Sequence, residues 1–74
     1  MSRLPRLTAQ EVVRLLKKAG FELSRQSVSH KIFKNDKGKR VTVPFHSGKT
    51  LHPKLLKAIL GDAEISEEEL AKYL

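Results

Sequence analysis

A chain of 74 residues makes one domain with a small core and cannot enclose a deep pocket, so any chemistry must occur on a surface or shallow cleft. Residues 1–60 carry 14 basic and 3 acidic side chains and residues 61–74 carry 1 and 5, for a net charge of +7; a basic body with an acidic tail suits a polyanionic partner, against the plainer reading of a solubilising coat. The absence of cysteine excludes disulfide frameworks, thiolate zinc sites and cysteine nucleophiles.

In chain order, Met1 to Leu7 holds Arg3, Pro5 and Arg6 and reads as a loose basic arm. Neither it nor any later stretch has the apolar run of a leader or a bilayer span, so a soluble cytoplasmic protein is expected. Thr8-Ala9-Gln10-Glu11 is a capping box, and Val12, Leu15, Leu16 and Ala19 follow at helical spacing with Arg14, Lys17 and Lys18 turned outward. Gly20 supplies a left-handed stop and Phe21 folds back on the last turn, which predicts a helix from about Ala9 to Ala19. Phe21-Glu22-Leu23-Ser24 alternates like a half-buried strand, followed by a turn through Gln26 to Val28. Ser29 to Lys34 makes a second strand, closed by the turn signal Asn35-Asp36-Lys37-Gly38. Arg40-Val41-Thr42-Val43 makes a third, ended by Pro44 through loss of a ladder donor. Short connections imply an antiparallel three-stranded meander.

Phe45 to Thr50 is a polar loop. His52 caps a second helix with Pro53 at its first position; Leu55, Leu56, Ile59 and Leu60 form its stripe, and Gly61 is expected to end it. Ser66-Glu67-Glu68-Glu69 is another capping box, opening a short last helix that Leu70, Tyr73 and Leu74 pack down. The predicted class is α+β, ordered α-β-β-β-α plus a short C-terminal helix, with helices on one sheet face and the other face free.

Gly48-Lys49-Thr50 resembles the end of a phosphate-binding loop, but Val43 stands where the upstream glycine is required, so nucleotide hydrolysis is rejected. His30, His46 and His52 lack carboxylates at ligand spacing and do not make a metal set. Glu67 to Glu69 are explained by stabilising a helix start. The informative stretch is Arg25-Gln26-Ser27-Val28-Ser29-His30-Lys31, one imidazole among hydroxyls, a carboxamide and cations. Imidazole titrates near neutrality, so it can take and return a proton, and the cations suit an anionic substrate. The plainer reading is a strand histidine held by backbone. Strict alternation groups His30 with Ile32, and Lys31 with Phe33; which pair faces outward stays open.

Gly20-Phe21, Arg25-Gln26, Ser29-His30 with Phe33, Val43-Pro44-x-His46-x-Gly48-Lys49 and Leu55 with Ile59-Leu60 occur in an order that resembles the HicA toxins, small bacterial mRNA interferases of toxin–antitoxin modules. The resemblance covers about residues 8 to 70. It implies a double-stranded-RNA-binding-domain type of fold, no cofactor, RNA as substrate and a HicB-like antitoxin as partner. It also implies that His30 is the catalytic histidine, with Ser29 before it and with His46 and Lys49 on positions kept near the site. Val28 stands where the family motif has glycine, which raises the question of a strained turn. The expected activity is metal-independent endoribonucleolytic cleavage: RNA supplies its own 2′-hydroxyl nucleophile, His30 moves protons with His46 as auxiliary, and Arg25, Lys31 and Lys49 hold phosphate while Ser29 and Gln26 orient the ring or a ribose. The rival is a non-catalytic RNA-binding module of the same fold; a DNA-binding regulator lacks a recognition helix.

Overall fold

The computed structural model describes residues 6–45 and 49–73. The order is α1 (Ala9–Lys18), β1 (Glu22–Gln26), β2 (His30–Lys34), β3 (Arg40–Pro44), α2 (Pro53–Ala63) and α3 (Glu67–Tyr73), the α-β-β-β-α order with a short terminal helix that the sequence predicts. The sheet is antiparallel in the order β1-β2-β3.

Local chemistry fixes the helix ends. The Glu11 amide donates to Thr8 Oγ1 at 3.2 Å and the Thr8 amide to Glu11 Oε1 at 2.9 Å, so the box closes in both directions. At the other end Gly20 has φ 97° and the amide of Phe21 donates to Leu16 at 2.9 Å, a Schellman stop. Helix α2 does not end at Gly61. It continues two residues, and Glu64 takes the left-handed conformation at φ 57° while the Ile65 amide reaches back to Leu60 at 2.9 Å. Leu60, Ala63 and Ile65 are all buried, so the apolar stripe carries the helix past the glycine. Lys39, 2.7 Å from the Glu64 carboxylate, ties that stop to the β2–β3 loop.

Both helices pack on the β3 side of the sheet. Phe33, Val41 and Val43 are fully buried beneath them with Val12, Leu15, Leu16, Leu56, Ile59 and Leu70. No charged or polar side chain is buried among the described residues. The helix layer stops short of β1, whose five residues are all exposed; Leu23, expected to be half-buried, is 45% exposed. Leu7, read as the end of a loose arm, belongs to the core, and its carbonyl accepts from the Leu51 amide at 2.7 Å. The adjoining Thr8–Thr50 bridge thereby fastens the start of α1 to the approach to α2.

Candidate active site

Register decides which side chains share a face. Phe33 stands opposite the buried Val41, and Lys31 opposite the buried Val43, so both point to the helix side. His30, Ile32 and Lys34 alternate with them and point to the helix-free side, opposite Pro44, Thr42 and Arg40. The orientation left open by the sequence is thus outward for His30, which is exposed.

The β1–β2 connection is a tight turn over Ser27 to Ser29, closed by the Ser27 amide donating to the His30 carbonyl at 2.9 Å. Val28 does not have positive φ, and its side chain stands wholly in solvent. Valine therefore brings no left-handed strain to this turn. Ser29 Oγ lies 3.1 Å from His30 Nδ1, a hydrogen bond whose direction sets the ring tautomer. The Ser29 carbonyl accepts from the Phe45 amide at 2.7 Å. That bond identifies His30–Pro44 as a non-hydrogen-bonded cross-strand pair, the kind whose side chains lie closest, with Cα atoms about 4.5 Å apart. The proline nitrogen faces away from β2, so no ladder donor is lost, and Pro44 is the last residue of β3 rather than its breaker. The imidazole thus has a hydrogen-bond partner beside it and a rigid ring across from it.

β1 carries an irregularity between Leu23 and Arg25: Leu23 pairs with Phe33, yet Arg25 pairs with Ile32. The extra residue, Ser24, turns Arg25 onto the face of Ile32 and His30; regular alternation would send it to the other side. Gln26, opposite Lys31, falls on the face away from His30. Lys31 is engaged there, with Nζ 4.0 Å from the centre of the Phe45 ring. Lys49 is exposed beside the Thr8–Thr50 bridge, and no hydrogen bond joins it to Ser29 or His30. His46 lies outside the described residues.

A family model described as "HicA toxin of bacterial toxin-antitoxin" matches residues 9–65, from the first turn of α1 to the residue after the α2 stop. The chain belongs to the HicA toxin family. No curated protein matches it significantly. Membership makes this HicA chain the toxin of a toxin–antitoxin pair and implies an antitoxin partner. None of its described helices is long and apolar enough to cross a membrane.

The helix-free face of this HicA domain also gathers two cations that the sequence does not single out. Lys34 and Arg40 stand opposite one another there, and Ser24, Arg25 and Ile32 complete a depression with them. Their charges were visible in the sequence, but their common face depends on register and on the β1 bulge. Pro44 was read only as a strand terminator, and nothing in its sequence position signals that it sits across from the imidazole.

Proposed function

We propose that this HicA toxin is a metal-independent endoribonuclease acting on mRNA, with His30 as the proton-transfer residue. The observation that carries the reading is an exposed imidazole on a helix-free, cation-bearing face, with Nδ1 3.1 Å from the Ser29 hydroxyl oxygen. When Nδ1–H donates to Ser29, Nε2 is left with a free lone pair aimed away from that contact. Nε2 then accepts the proton of a ribose 2′-hydroxyl as its oxygen attacks the adjacent phosphorus. The bond from phosphorus to the 5′-oxygen breaks, and that oxygen takes a proton back from the imidazolium. The products are a 2′,3′-cyclic phosphate and a 5′-hydroxyl. The nucleophile is internal to RNA, which is why one well-placed base suffices and why DNA is not a substrate.

Ser29 is a positioning residue, since it acts through the ring. Arg25, on the same face, stabilises charge on the phosphorane, and Lys49, exposed beside the Thr8–Thr50 bridge, holds the RNA backbone. Gln26 and Lys31 occupy the opposite face and have no role at the reacting phosphate; Lys31 instead fastens the Phe45 segment. His46 is the auxiliary acid, a second source for the proton returned to the 5′-oxygen. A HicB-like antitoxin would inhibit by denying RNA access to His30, and an mRNA substrate would put the activity in the cytoplasm.

The test compares RNA degradation by the wild-type and His30→Ala proteins and identifies the product ends. His30→Ala is expected to slow cleavage roughly 10²–10⁴-fold, and Ser29→Ala to lower kcat more than it changes KM. Equal cleavage by His30→Ala would remove His30 from the mechanism, products without cyclic or 3′-phosphate ends would exclude attack by the 2′-hydroxyl, and no cleavage by the wild-type protein would leave a non-catalytic RNA-binding module as the description.

A further inference from the structure

Lys34 and Arg40 are directly opposite across β2 and β3, and Arg25 is turned toward them by the β1 bulge. Like charges facing each other across strands destabilise a sheet, and nothing in the core requires this pairing. Among the described residues none of the three forms an ion pair; the bridge between Lys39 and Glu64 lies elsewhere. Glu22, opposite Lys34, is the sole acid on this part of the face, set against three cations. With Ser24 and Ile32 they line a depression of about 170 Å³. Such an arrangement is relieved when an anion sits in it.

We propose that Ser24, Arg25, Lys34 and Arg40 form a subsite for the phosphodiester backbone of single-stranded RNA, flanking the nucleotide presented to His30. The proposal rests on the RNA-cleaving reading of that histidine. Lys34 lies on the same strand and face as His30, about 13 Å along it at ~3.3 Å per residue. That is the span of a short oligonucleotide rather than of one phosphate. The lining favours a nucleic-acid backbone over an acidic protein: Ile32 is its one aliphatic member, whereas the centre of a protein interface is apolar and poor in charge. The cations hold phosphate oxygens and the Ser24 hydroxyl donates to one, so the contacts position the strand without reading bases.

The experiment measures binding of a uridine dodecanucleotide to the His30→Ala toxin over a salt series, with and without Lys34→Ala and Arg40→Ala. Removing both cations is expected to weaken binding and flatten the salt slope of log affinity by about 1.4, at about 0.7 per phosphate on a single strand. Melting temperature should hold or rise, because repulsion between the pair is relieved; this separates the effect from misfolding. An unchanged slope overturns the subsite. So does binding of poly-glutamate as tight as that of RNA and lost with the same substitutions, which marks a protein-docking patch. With His30 restored, the double substitution should raise KM for the dodecanucleotide more than for a dinucleotide, and equal effects on both would also overturn it. Intact cation-dependent binding by a toxin that cuts nothing would sink the His30 chemistry and leave the subsite standing.

Discussion

The two faces of β2 are built from consecutive residues and obey opposite rules. On the helix side, Phe33 is fully buried beside Val41 and Val43, and even Lys31 is used structurally, its ammonium set over Phe45. On the other side His30, Ile32 and Lys34 face no helix, and the charges there are unpaired among the described residues. The comparison teaches that a domain this small separates stability from chemistry by parity alone: a shift of one residue in register would exchange the two sets.

The largest effect should come from the covered face. Phe33→Ala is expected to cost about 3–5 kcal/mol. At roughly 0.05–0.15 kcal/mol per residue the whole domain has about 4–11 kcal/mol to lose, so urea unfolding should find the variant at a much lower midpoint. On the open face, His30→Ala should change unfolding free energy by no more than about 0.5 kcal/mol. A loss several times larger would mean that the histidine is a structural part and that the division between faces fails. The smallest effect concerns pH. With no buried charge among the described residues, acid sensitivity should come from exposed carboxylates. Glu11 is held below the ordinary glutamate value by hydrogen bonds from the Thr8 backbone and side chain, and Glu64 by its hydrogen bond and attraction to Lys39. Groups lowered in this way stabilise the fold above the ordinary glutamate range, and their contribution is lost as pH falls through the lowered values. Glu11→Gln and Glu64→Gln should each flatten the acid limb of melting temperature against pH; an unaltered limb would place the titration elsewhere.

What could be read from sequence was what neighbouring residues decide among themselves. The boxes at Thr8–Glu11 and Ser66–Glu69 both close, and the Asn35–Lys39 turn is held by Asn35 Oδ1 accepting from the amides of Lys37 at 3.0 Å and Lys39 at 2.8 Å, with Gly38 at φ 81°. Periodicity likewise gave the order of elements and the main helix stripes of the core, but not Leu7, Val13, Leu51, Ala63 or Ile65. What could not be read depends on distant partners. The exposure of β1 follows from where the helices settle, the stop at Glu64 from burial of Ile65, and the direction of Arg25 from a bulge that no residue type announces. The same holds for the site. Ser29 and His30 were visible as adjacent letters, but the separation of His30 from Lys31 and Gln26, and its company with Lys34 and Arg40, are properties of the register.

Pro44 has a consequence beyond its place opposite the imidazole. β3 is an outer strand, and outer strands invite foreign chains to extend the sheet by amide-to-carbonyl pairing. With its nitrogen turned outward and bearing no hydrogen, Pro44 offers an intruding strand nothing to accept from at that end. The β3 rim next to His30 is therefore closed to sheet growth, and visitors on that side must come down onto the flat of the sheet.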